Sequence, residues 1–160
     1  MKENLLKFGI KVLAISAILF AIWSLGGREY YLSFMRSSSI FLLKIFTTKL
    51  HRFGSPSYGF AMLIPFLSLA LATRTVSFKG KLYKILMGIG VIIAWNWLLI
   101  FVWYFLHQKV GQTDTVSVQQ RSTLFFLSGI LPFVLWAVLF RDNIKKLFYP
   151  KKRKPARAAA

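Results

Sequence analysis

Cysteine is absent from this 160-residue sequence, and acidic residues are scarce. Without cysteine the chain forms no disulfide, no thiolate metal site and no cysteine nucleophile. The four acids, Glu3, Glu29, Asp114 and Asp142, lie far apart in the sequence, so their spacing indicates no pair of catalytic carboxylates. We therefore expect a protein that is not an enzyme.

Histidine is also scarce, since the chain has only His51 and His107. These two residues lack an HExxH spacing or any similar pattern of zinc ligands. The GIG stretch at 88–90 lacks the rest of a phosphate-binding fingerprint, and small residues in such a setting typically let transmembrane helices approach closely. The sequence thus predicts neither a metal ion nor a cofactor.

Apolar residues are abundant: they make up 56% of the chain, which also carries 22 Lys and Arg and a net charge of +18. The apolar residues form long runs, and the basic residues cluster at the ends of these runs, a pattern typical of helices that cross a bilayer. The sequence predicts an all-α, polytopic membrane protein with about four transmembrane helices. The predicted spans are 8–25, 57–73, 85–106 and 124–140.

The orientation of these spans follows from two similar stretches. LIPFLSLALATR (63–74) and ILPFVLWAVLFR (130–141) both read apolar-Pro-Phe, seven residues, then Arg, so we expect both to cross the membrane in the same direction. A cytoplasmic N-terminus then places the basic loop 74–84 and the C-terminus in the cytoplasm, and the weakly charged connection 107–122 outside. The segment 26–56 is external in this arrangement although it has five Lys or Arg.

The first apolar run resembles a secretory signal, because it follows Lys2 and Lys7. Gly26 and Gly27 offer small residues for cleavage, but the bulky residues just before them disfavour a signal peptidase site. We expect an uncleaved signal anchor. A cleaved signal peptide is the alternative, and it would leave the orientation of the other three spans unchanged.

The segment from about 30 to 53 has a different pattern, with polar residues at helical spacing along one side. These polar residues are Ser33, Ser37, Lys44, Thr48 and His51. The other side is apolar and aromatic and includes Tyr31, Met35 and Phe46. Such a helix is typical of the membrane interface, so we predict an amphipathic interfacial helix that is not a span.

Few residues inside the predicted spans are unusual. Asn96 lies in the middle of the run 85–106, where we expect its carboxamide to form a hydrogen bond between helices. Gly90 and Ala94 form a small-xxx-small pair that predicts close helix packing. Pro65 and Pro132 lie inside predicted spans, where a missing N–H favours helix kinks.

The C-terminal segment 144–160 is polybasic, whereas residues 1–143 form the predicted helical membrane domain. Anionic lipid headgroups attract basic residues that follow a span, so we predict headgroup binding by this tail. The basic residues of the prediction are Lys151, Lys152, Arg153, Lys154 and Arg157. Nucleic-acid binding by the same charges would be unspecific.

The order of features from 58 to 106 resembles the exosortase and archaeosortase family of membrane proteins, in particular its short exosortase H-associated members. The similar features are a leading anchor helix, an interfacial segment, the stretch PFLSLALATR, a basic loop and a following helix with an intramembrane Asn. The resemblance implies a protein of the bacterial inner membrane that works in a protein-sorting system. It also implies a possible exosortase partner within the membrane.

The sequence departs from the processing enzymes of that family at two places. Their nucleophilic Cys is missing from GSPSYGF (54–60), and Leu99 stands where an Arg is expected after Asn96. The resemblance therefore implies a non-catalytic accessory protein that acts by helix–helix association. Two alternatives remain open: a degenerate or Ser-dependent membrane protease or transpeptidase that uses Ser55 or Ser57, and a holin-like pore-forming protein.

Overall fold

The computed structural model describes residues 2–46, 62–75, 77–110 and 118–148, and all of the elements in these segments are helical. The all-α prediction is confirmed for this part of the chain. The helices, numbered in chain order, are α1 (Lys2–Ile22), α2 (Arg28–Phe46), α3 (Leu63–Ala72), α4 (Phe78–Val110), α5 (Val118–Leu139) and α6 (Arg141–Phe148).

Two helical stretches are long and apolar enough to cross a membrane by length and composition: Leu5–Phe46 and Phe78–Val102. Two shorter apolar helices, Leu63–Ala72 and Phe126–Leu139, fall within the other two predicted spans. At 1.5 Å per residue, the ten residues of α3 extend over about 15 Å, roughly half of a hydrocarbon core. Residues 57–61, with which the predicted second span begins, lie outside the described residues.

A kink separates α1 from α2 at a wide helical turn, Trp23–Gly27. Gly26 has a φ of 126° and a ψ of −15°, backbone angles that residues with a Cβ atom rarely adopt. Glycine therefore allows the chain to change direction here without interrupting the helical segment by a loop. Gly26 and Gly27, which the sequence offered as a cleavage site, form the corner between the two helices.

The main apolar core surrounds α3, which contacts α1, α4 and α5. The residues buried in this core are Met62, Phe66, Ala70, Ile92 and Phe140. Half-buried aromatic and aliphatic side chains of α4, α5 and α6 pack around them. The short helix α3 is thus the central element of the described fold.

Four helix ends meet at one end of this core. The Trp136 indole, near the end of α5, hydrogen-bonds to Thr73 at the end of α3. Trp136 also stacks on Phe8, near the start of α1, with ring centroids 6.0 Å apart. Lys84, near the start of α4, lies over the ring of Phe140, which follows α5. The starts of α1 and α4 and the ends of α3 and α5 therefore share one end of the molecule, which we call the basic end.

Helix α2 crosses α4 obliquely at a distance from the basic end. Tyr31 contacts Asn96, and fifteen residues later Phe46 contacts Phe101, only five residues further along α4. Fifteen residues of helix extend over about 22 Å, whereas five extend over about 7.5 Å. The axes of the two helices are therefore far from parallel.

Two segments differ from the sequence-based expectation. The basic loop predicted at 74–84 is mostly helical, because α4 begins at Phe78 and includes Lys79, Lys81 and Lys84. The first part of the predicted tail forms α6, whose Ile144 packs against the core cluster that contains Phe140. Burial of this apolar residue explains why the chain stays helical beyond the end of α5.

Candidate functional site

Asn96 is buried between α4 and α2, with 1% of its surface exposed. Its Nδ2 donates a hydrogen bond of 2.8 Å to the hydroxyl of Tyr31 on α2. The Tyr31 ring packs at a tilt against Trp23, in the turn that precedes α2, with ring centroids 5.6 Å apart. The structure thus places Asn96 in a hydrogen bond between two helices.

Two buried polar atoms in the α2 and α4 helices lack a hydrogen-bond partner within the described structure. These atoms are the carboxamide oxygen Oδ1 of Asn96 and the hydroxyl Oγ of Ser39. An unsatisfied buried polar group costs about 1–3 kcal/mol relative to a satisfied one. The contact between α2 and α4 is therefore not optimised for the stability of this chain alone.

The tryptophans on either side of Asn96 connect α4 to two different helices. Trp97 donates from Nε1 to Ser38 Oγ on α2 at 3.0 Å, and Trp95 donates to Ser128 Oγ on α5 at 3.3 Å. Consecutive residues of a helix point about 100° apart, so Trp95 and Trp97 point in nearly opposite directions. One turn of α4 therefore contacts both α2 and α5. The WNW triplet is a three-residue connection between α2, α4 and α5.

The carboxyl end of α3 is bonded by three other helices. Lys81 of α4 donates from Nζ to the carbonyl oxygens of Leu71 and Thr73, at 2.7 and 3.0 Å. Trp136 of α5 donates to Thr73 Oγ1 at 2.9 Å. Asn143 of α6 donates to the carbonyl oxygen of Arg74 at 2.9 Å. The bond to Leu71 satisfies a carbonyl group that the helix end leaves without an intrahelical donor, and the other bonds fix Thr73 and Arg74 just after the helix.

A glycine of α4 allows the closest approach between α3 and α4. The Phe66 ring lies against Gly88, so that a Cβ atom added at Gly88 would lie 2.0 Å from Phe66 Cζ. The Phe66 side chain is fully buried. Gly88 is therefore required for this packing.

The predicted packing pair lies elsewhere on α4. Gly90 and Ala94 are both exposed, and a Cβ atom added at Gly90 would meet no atom within 4 Å. Within this chain the close helix approach occurs at Gly88, while Gly90 and Ala94 form an exposed strip. Their role in helix packing stays a prediction that concerns a second molecule.

The two prolines occupy different positions in their helices. Pro65 is the third residue of α3, so it lies in the first turn of the helix and not in its interior. A backbone N–H at this position would have no acceptor within the helix, so the N–H that proline lacks is not missed. Pro132 lies inside α5 and is buried. The described bend of the chain occurs at Gly26, and helix kinks at the prolines stay predictions.

Several residues of the sequence-based predictions lie outside the described residues. They include the candidate nucleophiles Ser55 and Ser57 and the tail residues Lys151, Lys152, Arg153, Lys154 and Arg157. Leu99, where the resemblance would call for Arg, lies half-buried on α4, three residues after Asn96. The hydrogen bonds around Asn96 join neutral amide, phenol, indole and hydroxyl groups, which are suited to holding helices together.

Sequence reasoning missed the partners of these bonds. Tyr31 belongs to the apolar side of the predicted interfacial helix, and Ser38, Thr73 and Ser128 carry no recognisable motif. A usable signal was the tryptophan content, because a buried indole N–H usually has an acceptor and a serine or threonine hydroxyl on a neighbouring helix can supply it. This rule predicts that each buried tryptophan has a hydrogen-bond acceptor, but it does not predict which residue supplies the acceptor.

Comparison of the chain with known protein families, characterised proteins and solved structures gives no match.

Proposed function

We propose that this chain is an integral protein of the bacterial inner membrane, with four spans, a cytoplasmic C-terminus and its basic end in the cytoplasm. The observation that carries the proposal is the meeting of four helix ends at one place together with their Lys and Arg residues. The cations on these ends are Lys7, Lys11, Arg74, Lys79, Lys81, Lys84, Arg141 and Lys145. The positive-inside rule assigns such an end to the cytoplasm.

The distance between the basic end and α2 supports the same arrangement. Along α4, Asn96 lies about 22 Å from Lys81 and Phe101 lies about 30 Å from it, at 1.5 Å per residue. The second distance equals the thickness of a typical hydrocarbon core. Helix α2 therefore lies near the opposite boundary, which agrees with an interfacial helix on the external side.

Extensive apolar surface supports residence in a bilayer. Of the most apolar 18 residues of Leu5–Phe46 none is buried, and of the most apolar 18 residues of Phe78–Val102 28% are buried. Large side chains such as Leu13, Phe20 and Phe41 are more than half exposed. Water-soluble monomers rarely expose contiguous apolar areas of this extent.

Labelling of single cysteines tests the topology, because the natural chain has no cysteine to give a background. We would introduce Lys79→Cys and Lys145→Cys at the basic end and Asp114→Cys between α4 and α5. In intact spheroplasts, a membrane-impermeant maleimide should label only the Asp114→Cys protein. All three should react after permeabilisation. External labelling at 79 or 145, or release of the chain from membranes by alkaline carbonate, would contradict the proposal.

On the sequence resemblance we further propose that the protein is a non-catalytic accessory of an exosortase-type sorting system, acting through helix–helix association. The exposed Gly90 and Ala94 strip offers a surface where a partner helix can approach closely. Affinity capture from membranes that also contain an exosortase should recover both proteins. The double variant Gly90→Leu with Ala94→Leu should recover less of the exosortase at equal expression.

A matched control is available on another helix. Gly129 of α5 is exposed, and a Cβ atom added there would meet no atom within 4 Å, so Gly129→Leu makes a comparable change away from the strip. This variant should capture as much exosortase as the natural chain. Failure to recover exosortase with the natural chain, or an equal loss in both variants, would reject the accessory role while leaving the topology intact.

A further inference from the structure

At the end of α3 an exposed apolar residue lies among basic residues of α1, α3 and α4. Leu71 is 43% exposed, although Ala70 and Ala72 beside it are buried. Helix α3 contacts α1 and α4. Lys11 lies one helical turn after Phe8 on α1, and the Phe8 ring stacks on Trp136, which bonds to Thr73 at the end of α3. Lys81 of α4 bonds to the carbonyl oxygen of the same Thr73, so Lys11 and Lys81 both lie near the end of α3. We call this place, formed by Lys11, Leu71, Arg74, Lys81 and Lys84, the basic groove.

Lys81 holds a fixed position in the basic groove. Its Nζ bonds to the carbonyl oxygens of Leu71 and Thr73, which uses two of the three donors of an ammonium group. Lys84 lies on the same face of α4, three residues further on, and its Nζ lies 5.4 Å from the centre of the Phe140 ring. Two lysines are therefore held in place by the fold, and Lys81 retains one donor.

Negative charge is scarce around these cations. Among the side chains that the structure describes on α1, α3, α4, α5 and α6, Asp142 is the only acid, and it is exposed on the first turn of α6. Like charges that the fold brings together repel, and an anion bound between them removes the repulsion. The groove is thus complementary to an anionic group.

We propose that the basic groove binds the headgroup phosphate of an anionic phospholipid, with Lys11 and Lys81 on either side and the acyl chains along the apolar surface next to Leu71. This inference rests on the proposed membrane topology and adds a binding site separate from the C-terminal tail. Basic pockets between helices on the cytoplasmic side are suited to such headgroups. The position of Lys81 agrees with a headgroup site at the membrane boundary, since the long apolar run of α4 begins four residues later at Ile85.

Native mass spectrometry of the full chain in detergent micelles tests the site, with dioleoylphosphatidylglycerol and dioleoylphosphatidylcholine as probes. We expect phosphatidylglycerol to bind more tightly. Lys11→Gln should weaken its binding about fivefold, a factor consistent with the loss of one lysine–headgroup contact. Lys11 is exposed, so this variant should keep the unfolding temperature of the natural chain in lipid-free micelles.

Lys79→Gln is the matched control, because it removes the same charge from an exposed residue two positions before Lys81, on another face of α4. It should leave the affinity for phosphatidylglycerol unchanged. An equal loss in both variants, equal binding of the two lipids, or displacement of phosphatidylglycerol by millimolar inorganic phosphate would overturn the proposal. A chain that shows the proposed topology in maleimide labelling but no lipid preference would lose this site alone.

Discussion

Asn96 and Tyr31, 65 residues apart in the sequence, form a direct hydrogen bond of 2.8 Å between α4 and α2. This bond is formed inside the longest apolar stretch of α4, and only 1% of the Asn96 surface is exposed. It ties the oblique helix α2 to the bundle. Together with the Trp97–Ser38 bond, it determines the position of α2 along α4.

The Asn96–Tyr31 bond should give a measurable but small coupling energy. A double-mutant cycle with Asn96→Leu and Tyr31→Phe, measured by denaturant unfolding in mixed micelles, should give about 0.6 kcal/mol, with about 1.7 kcal/mol as the upper limit for such bonds. Asn96→Leu should also lower stability, because it leaves the Tyr31 hydroxyl without this donor. Strictly additive effects of the two substitutions would show that the bond does not stabilise the protein.

Gly88→Ala should destabilise the protein, although it adds only one methyl group. The added Cβ would overlap the buried Phe66 ring, so either this ring or the two helices must shift. Overpacking of this kind costs about 1–3 kcal/mol. Gly90→Ala is the matched control on the same helix, since its Cβ meets no atom within 4 Å and alanine has the higher helix propensity.

Unfolding of the two alanine variants in mixed micelles would compare them directly. We expect the Gly90→Ala protein to be as stable as the natural chain or up to about 1 kcal/mol more stable. The double variant Gly88→Ala with Phe66→Leu should recover part of the lost stability, because the smaller side chain makes room for the methyl group. Equal stability of the Gly88→Ala and natural proteins would contradict the described packing.

The sequence was informative about which segments are helical. The apolar run 85–106 lies within α4, and residues 30–46 of the predicted interfacial helix are helical. This property is local, because periodicity of a single segment determines it. On α2 the predicted polar residues Ser33, Ser37 and Lys44 are exposed, but so are Phe41 and Phe46 of the predicted apolar side, so the polar stripe stays a prediction. Thr48 and His51 of the same polar stripe lie outside the described residues.

The contacts between helices cannot be predicted from the periodicity of a single segment. Gly88 and Gly90 are two residues apart in one short motif, yet only Gly88 lies against a neighbouring ring. Which of them packs depends on the rotation of α4 about its axis, and this rotation is determined by the whole bundle. The sequence pattern likewise places Tyr31 on the apolar side of α2, although the Tyr31 hydroxyl bonds to Asn96.

Lys81→Met should loosen the end of α3. The substitution keeps an unbranched side chain but removes both hydrogen bonds to the carbonyl oxygens of Leu71 and Thr73. Buried hydrogen bonds from a charged donor contribute about 1.5–3 kcal/mol to the free energy of unfolding. Because Lys81 is only half-buried, we expect its substitution to lower this free energy by about 1 kcal/mol. Hydrogen exchange should become faster for the amides in the last turn of α3.

Lys79→Met provides the control for this change, because Lys79 is exposed on the same turn of α4. Its substitution should leave the exchange rates in α3 as they are. Equal acceleration by both substitutions would show that positive charge near α3, not the two hydrogen bonds, protects its end.

Gly26→Ala should alter the angle between α1 and α2. A residue with a Cβ atom at a φ of 126° is strained by about 1–3 kcal/mol. Alanine relieves this strain if residue 26 adopts helical backbone angles, and this change straightens the corner. Straightening would carry α2 away from α4. Met35 and Ile100 belong to one buried cluster between these helices, so paired cysteines at the two positions report the contact by oxidative cross-linking. We expect efficient cross-linking in the natural background and a clear reduction with Gly26→Ala.

Gly9→Ala is the control, because Gly9 lies in an open position on α1 and its substitution should leave cross-linking unchanged. Undiminished cross-linking with Gly26→Ala would show that the corner does not position α2.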